Sequence, residues 1–236
     1  MSTSKAQDTK ILGSFFMFEK VFLILTYLYL ATLFVAVVIA FAKRGALPKG
    51  LNILWIYFVL LILVEIAVDL SKWYFKIDMK YFLALYNVFG IIEYGFIAFL
   101  YYYSIATRRR SWVMISFCIY TIFVLVNMIF LSDHFTHNYT FIARCLVFIW
   151  LTLEYFWQLS QSQDIVKITK IPLFWISVGI FVFSMGSIFV QGLGSDIADK
   201  ELAFAIYLLN PILNIYLYIM FIISFLCTQR NTGYSS

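Results

Sequence analysis

Five charged side chains occur inside apolar stretches that are otherwise suited to cross a membrane. They are Glu65, Asp69, Glu93, Arg144 and Glu154. The same stretches contain four asparagines, namely Asn87, Asn127, Asn210 and Asn214. A charge in the hydrocarbon layer is costly unless it faces the bundle interior or a wet cavity, and such residues commonly serve ligands, ions or protons. We therefore expect these side chains to face a shared interior.

The depth of each polar residue can be counted from the cation that flanks its helix. The counts are 16 positions for Glu65 from Lys49, 15 for Glu93 from Arg108, 17 for Asn127 from Arg110, 13 for Glu154 from Lys167 and 16 for Asn214 from Arg230. At a rise of about 1.5 Å per residue, these counts differ by about one helical turn. The sequence thus predicts a polar layer near the membrane centre, where a ligand or ion binds, with Asp69, Arg144 and Asn210 completing the site.

Asp69 and Arg144 are two further charges near one end of this layer. Asp69 lies one turn beyond Glu65 on the same helix face. Arg144 is 23 positions from Lys167 and Asp69 is 20 from Lys49, so the two have similar depth. Either they form an ion pair that covers the polar layer, or Arg144 extends to the lipid headgroups.

Three functions for the polar layer remain open. In a receptor-like or sensory module, the layer binds a ligand or ion. In a transporter or an intramembrane lipid hydrolase, Glu65 works with Glu93 or Glu154 as a proton carrier or as an acid–base pair. In a structural scaffold, the polar side chains only lock the helices together, as membrane asparagines often do.

The motifs of several membrane enzyme classes are missing. The last apolar stretch has no lysine for a retinal Schiff base, and the two histidines, His134 and His137, stand in a loop. Zinc enzymes use imidazole ligands, and neither H-E-x-x-H nor G-x-S-x-G occurs. We therefore predict no catalytic residues, no metal site and no cofactor.

The composition excludes a soluble domain. Of 236 residues, 64% are hydrophobic and 12% are charged, and the mean hydropathy is +0.92. A globular chain is about a quarter charged, so lipid must cover the excess apolar surface. The net charge of +5 comes from cations in short runs between apolar stretches. Such runs contact lipid headgroups, so we expect membrane lipids and no nucleic acid as partners.

Seven stretches are long enough to span a membrane, since a spanning helix needs about 20 apolar residues. They cover about 16–42, 51–74, 81–106, 112–131, 140–160, 172–191 and 202–227. This predicts an all-α, polytopic seven-transmembrane-helix bundle, one membrane domain over 1–236 with a polar tail at 1–14. Pro211 is expected to kink the seventh helix. Gly179, Ser184 and Gly186 give the sixth helix a small-residue face for close packing.

The placement of lysine and arginine favours an N-out/C-in orientation. This orientation puts nine cations on the inner side and seven on the outer side. The run Arg108–Arg110 falls inside, and the acidic last loop with Asp196, Asp199 and Glu201 falls outside.

Parts of the third, sixth and seventh helices resemble a known group of membrane proteins. The stretches are YNVFGIIEYGFIAFLYYYSI, PLFWISVGIFVFSMGSIFV and NPILNIYLYIMFIISFL. They are similar to small bacterial seven-helix membrane proteins that look like the membrane sensor regions of histidine kinases. The resemblance implies a sensory role, a separate cytoplasmic or membrane signalling partner, and location in the bacterial inner (cytoplasmic) membrane.

Overall fold

The computed structural model describes residues 2–45, 47–70, 79–105, 109–130, 134–161, 168–194 and 200–227. Within these ranges the chain forms nine α-helices and no strand. The helices are α1 (Ser2–Lys43), α2 (Lys49–Asn52), α3 (Leu54–Leu70), α4 (Met79–Ser104), α5 (Arg110–Phe130), α6 (His134–Gln161), α7 (Pro172–Gly194), α8 (Lys200–Tyr207) and α9 (Leu209–Leu226). A short 3-10 helix, Ile168–Lys170, leads into α7.

Seven segments of these helices are long and apolar enough to cross a membrane. They are Lys20–Lys43, Gly50–Val68, Ala84–Ser104, Arg110–Phe130, Tyr139–Gln161, Pro172–Gly192 and Phe204–Leu226. Large apolar side chains cover their outer surface, and Ile129 and Phe130 are 73% and 75% exposed. Lipid is the solvent that tolerates such a surface. The chain is an integral membrane protein, and the predicted all-α seven-helix bundle is confirmed, while its orientation stays a prediction.

Six of the spanning helices form a closed ring. Its order is α1, α3, α4, α6, α7 and α9, and α9 closes the ring by packing against α1. The remaining span, α5, packs against α4 and α6 on the outside of the ring. Because successive spans run in opposite directions, the bundle has a Lys20 side, where the span of α1 begins, and a Lys43 side, where it ends.

An aromatic cluster fills the interior of the ring where α3 meets α9. The ring of Phe58 contacts those of Tyr218, Phe221 and Phe225 at centroid distances of 6.0, 5.1 and 5.8 Å. All four side chains are buried. Edge-to-face contacts of this kind stabilise a core beyond the area they bury. The cluster therefore fixes the position of α9 inside the bundle.

Glycines bring α7 and α9 close together. A Cβ atom added to Gly179 would lie 2.8 Å from Cβ of Met220, and one added to Gly186 would lie 2.6 Å from Cδ2 of Leu213. Both distances are shorter than real contacts, so a side chain at either position would require its neighbour on α9 to move. The small-residue face predicted for this helix thus packs against its neighbour.

Several helices differ from their expected extents, and α6 begins at His134, so it includes both histidines that were expected in a loop. Helix α1 begins at Ser2, within the stretch expected to be a polar tail, because no proline interrupts the polar residues ahead of its span. The regular hydrogen bonding of the seventh span is broken locally at Leu208, between α8 and α9, although Leu208 keeps helical φ and ψ angles of −62° and −21°. Pro211 lacks the N–H that would bond the carbonyl of Tyr207 one turn earlier, which explains the interruption.

Candidate functional site

A cavity of about 340 Å³ lies inside the ring of helices, in the half nearer the Lys20 side. Thirteen of its nineteen lining side chains are polar. The polar ones are Tyr29, Tyr57, Glu65, Tyr86, Asn87, Glu93, Tyr120, Thr140, Arg144, Gln191, Asn210, Asn214 and Tyr218. Sites for small molecules enclose about 300–1,000 Å³, so this space suits a small ligand or a group of water molecules.

An ion pair between α4 and α6 forms part of the cavity wall. Nη1 of Arg144 lies 2.7 Å from Oε2 of Glu93, and the two side chains are 12% and 14% exposed. The hydroxyl of Tyr57, on α3, donates a hydrogen bond of 3.1 Å to Oε1 of the same carboxylate. The guanidinium also lies over the ring of Phe141, 4.9 Å from its centroid. Three helices therefore meet at one nearly buried carboxylate, in a fixed geometry.

Gly90 makes the space that this ion pair needs. It lies three residues before Glu93, on the same face of α4. A Cβ atom at this position would lie 2.7 Å from Nη1 of Arg144 and 3.3 Å from the hydroxyl of Tyr120. The guanidinium thus rests directly against the backbone of α4. A larger residue here would move it away from the carboxylate.

Glu65 forms a second polar contact in the wall. The hydroxyl of Tyr29, on α1, donates a hydrogen bond of 2.7 Å to Oε1 of Glu65, on α3. The ring of Tyr29 packs against that of Tyr218, on α9, with 5.7 Å between centroids. These contacts place a carboxylate at the junction of three helices on the side of the cavity formed by α1 and α9.

Amide and hydroxyl groups complete the lining. Thr140 donates a hydrogen bond of 2.8 Å to Oδ1 of Asn87, and both side chains are buried. Nδ2 of Asn214 donates a hydrogen bond of 3.0 Å to the backbone carbonyl of Asn210 on its own helix. The wall thus offers hydroxyls and amides as well as charged groups, so it can both donate hydrogen bonds to a ligand and accept them.

The structure brings five of the eight predicted site residues to this cavity. They are Glu65, Glu93, Arg144, Asn210 and Asn214. The side chain of Asp69 lies outside the described residues, and so does any contact between it and Arg144. The described partner of Arg144 is Glu93, an arrangement that the sequence analysis did not foresee.

Asn127 and Glu154 lie away from the cavity. Asn127 donates a hydrogen bond to the carbonyl of Phe123 on its own helix, α5, which packs outside the ring. Glu154 contacts Arg109 on the Lys43 side. Its depth was counted from Lys167, which lies outside the described residues.

The sequence analysis missed the tyrosines of the cavity. Tyr29, Tyr57, Tyr120 and Tyr218 all line it, although tyrosine in membrane proteins usually suggests an interfacial position. Helical spacing carries a signal for two of them. Tyr57 lies eight residues before Glu65, and Tyr218 lies four after Asn214, so each shares a helix face with a predicted site residue.

The chemistry of the cavity is that of a polar binding site. Two carboxylates, one guanidinium and several hydroxyls and amides surround a space large enough for a ligand. In the part of the chain that the structure describes, no three His, Cys, Asp or Glu side chains are grouped to hold a metal ion. Glu65 and Glu93 share the cavity, but each is engaged by a different tyrosine.

The fold and this cavity define the class of the chain: a helical, polytopic membrane protein with a polar intramembrane cavity. The chain matches no protein-family model, no curated protein and no solved structure. The resemblance to sensor regions of histidine kinases accordingly stays an expectation.

Proposed function

We propose that this integral membrane protein is a receptor-like or sensory module that binds a small polar ligand or an ion in the cavity. One observation carries the proposal: a cavity of about 340 Å³, lined mostly by polar side chains, lies inside a bundle whose outer surface is apolar. Four of the charged or amide residues that line it, Glu65, Glu93, Arg144 and Asn214, come from four different helices.

Packing alone gives no reason for this arrangement. A buried ion pair is weak support for stability, because desolvation of both charges offsets their attraction. A scaffold could fill the same space with apolar side chains at no such cost. Here the space stays open, and Gly90 makes room for the guanidinium at its wall. Binding of a ligand that needs both hydrogen-bond donors and acceptors would explain why this polar cavity is present.

The interrupted seventh span offers a route from binding to a response. Asn210 and Asn214 line the cavity, and both lie within six residues of the break at Leu208. Pro211 leaves one backbone carbonyl of this span without its helical hydrogen bond, and helices bend at such positions. A ligand that contacts these asparagines would shift α9 and so signal to a separate cytoplasmic or membrane partner. The location in the bacterial inner membrane is part of this proposal and follows from the resemblance.

A second candidate function has one observation in its favour. Glu65 and Glu93 line the same cavity, so a transporter could use them as proton carriers, or a lipid hydrolase as acid and base. Glu154, the other carboxylate considered for such a pair, is elsewhere. The receptor-like function is preferred because Glu93 is already held by Arg144 and Tyr57, and Glu65 by Tyr29.

The test is a thermal-shift screen of detergent-purified protein against ions, amino acids, amines and sugars. A ligand that binds the folded state stabilises it by mass action and so raises Tm. At a ligand concentration 100 times its Kd, the stabilisation is about 2.7 kcal/mol. We expect one compound to raise Tm of the native protein and to lose its effect in Glu65→Gln and Asn214→Ala.

Glu154→Gln is the matched control, because it makes the same chemical change outside the cavity. It should keep the full ligand-dependent shift. The absence of a response to every compound, together with an unchanged Tm in Glu65→Gln, would favour the scaffold. Proteoliposome flux or lipid cleavage that is lost in Glu65→Gln would favour the second candidate.

A further inference from the structure

A second recess lies between α5 and α6 on the Lys43 side, in the other half of the bundle. It encloses about 620 Å³ and is lined by Ile105, Arg109, Trp112, Val113, Trp150 and Glu154. We call it the Arg109 groove. It shares no residue with the cavity described above, so whatever binds in it is independent of the proposed receptor function.

A guanidinium is held in place at this groove. Nη1 of Arg109 contacts both carboxylate oxygens of Glu154. Nε2 of Gln158 donates a hydrogen bond of 2.8 Å to Oε1 of the same carboxylate. The Arg109 side chain is 48% exposed, whereas that of Glu154 is 13% exposed. A guanidinium carries five N–H donors, and the described bonds of Arg109 use only those of Nη1. Its Nε and Nη2 donors therefore remain for a ligand.

The groove lies where the membrane meets its headgroup layer. Arg109 directly precedes the span Arg110–Phe130. Trp112 and Trp150 stand at the lipid-facing surface, 61% and 39% exposed. Trp150 precedes Glu154 by four residues, which places it about 6 Å farther into the membrane. A cation thus stands at headgroup depth with aromatic rings beneath it, the order of groups that a phospholipid presents from phosphate to acyl chain.

We propose that the Arg109 groove binds one glycerophospholipid, with its phosphodiester at Arg109 and an acyl chain along Trp112 and Trp150. The planar fork of a guanidinium suits phosphate oxygens better than an ammonium does. Glu154 is a positioning residue, because it fixes the guanidinium and touches no part of the lipid phosphate. The groove is a defined site for one lipid, beyond the general contact that all seven spans make with the bilayer.

The experiment uses delipidated protein in maltoside micelles, which contain no phosphate. Tm is measured while a glycerophospholipid, a diacylglycerol or inorganic phosphate is titrated, and native mass spectrometry counts the bound lipids. We expect the phospholipid alone to raise Tm in a saturable manner, with one lipid retained per protein. Diacylglycerol lacks the phosphate, and inorganic phosphate lacks the acyl chains, so neither should reproduce the effect.

The double variant Arg109→Gln/Glu154→Gln removes the binding group without leaving a buried charge unpaired. We expect its apparent Kd for the phospholipid to rise about tenfold or more, as for the loss of a charge-assisted hydrogen bond. Arg110→Gln is the matched control, since Arg110 instead contacts the ring of Tyr102 and the carbonyl of Ile105. It should bind the lipid like the native protein.

Two results would overturn the proposal. The first is equal affinity for the phospholipid in the native protein and the double variant. The second is stabilisation by inorganic phosphate as large as that by the phospholipid, which would make the groove a phosphate site and not a lipid site. Trp150→Ala separates these cases further, because only lipid binding should weaken when the aromatic wall is removed.

Discussion

The nearly buried carboxylate of Glu93 shows how single residues shape the cavity. It receives a guanidinium from α6 and a hydroxyl from α3. Loss of one partner of a buried ion pair costs about 3–5 kcal/mol, because the other charge is left without compensation. The pair therefore constrains which residues can surround it, and Gly90 leaves the guanidinium the space it occupies.

Gly90→Ala should disturb the ion pair without changing any charge. The new Cβ would lie 2.7 Å from Nη1 of Arg144, so the nearly buried guanidinium must shift from its present position beside Glu93. We expect a loss of about 1–3 kcal/mol in stability, typical of an overpacked interior. Differential scanning fluorimetry in detergent measures the change in Tm.

Gly95→Ala, on the same helix, is the control for this substitution. A Cβ at Gly95 would meet Phe117 at an ordinary 3.6 Å, and alanine favours a helix over glycine by about 1 kcal/mol. Its Tm should be equal to or above that of the native protein. An equal Tm for Gly90→Ala and Gly95→Ala would show that Arg144 has room that the described geometry does not give it.

Among the helices of the ring, α7 and α9 pack together through two glycines. Gly179 faces Cβ of Met220, whereas Gly186 faces the methyl groups of Leu213. A Cβ atom is fixed to the backbone, but the end of a leucine side chain can rotate to another rotamer. The two glycines therefore differ in how firmly they set the distance between the helices.

Gly179→Ala should be more damaging than Gly186→Ala. The first forces the backbones of α7 and α9 apart, at an expected cost of about 1–3 kcal/mol. The second needs only a rotamer change at Leu213, and the higher helix propensity of alanine offsets much of its cost. Tm values of the two variants give the comparison. A larger loss for Gly186→Ala would mean that the methyl groups of Leu213 are held as firmly as a backbone.

For the whole molecule, the sequence predicted the helices well and the site in part. The lengths of the apolar stretches are enough to find seven spans. In lipid, a helix of sufficient length satisfies the hydrogen bonds of its own backbone. Depth along a helix is also contained in the sequence, and it grouped Glu65, Glu93 and Asn214, which line one cavity. The depth of a residue does not say whether its helix belongs to the ring or which neighbour its side chain faces. Asn127, on the outer helix α5, was therefore grouped with them. The partner of Arg144 depends on which helices are neighbours, and no local pattern contains that information.

The orientation of the whole bundle can be tested with two engineered cysteines. Gly45 and Gly192 have open space around them and lie on the Lys43 and Lys20 sides, respectively. With N-out/C-in, a membrane-impermeant maleimide should label Gly192→Cys in intact cells and Gly45→Cys only after permeabilisation. The native protein, with Cys118, Cys145 and Cys227, gives the background. The opposite labelling pattern would establish N-in/C-out.

The closure of the ring by α1 and α9 has a consequence for biosynthesis. Helices leave the ribosome in order, so the ring stays open until α9 has entered the bilayer, and charged residues of earlier helices risk exposure to lipid meanwhile. The chain supplies their partners early. Glu65 meets Tyr29 from α1, and Glu93 meets Arg144 from α6, before α7 is made. The charges of Glu65, Glu93 and Arg144 can thus be matched during insertion, before α9 arrives to close the wall.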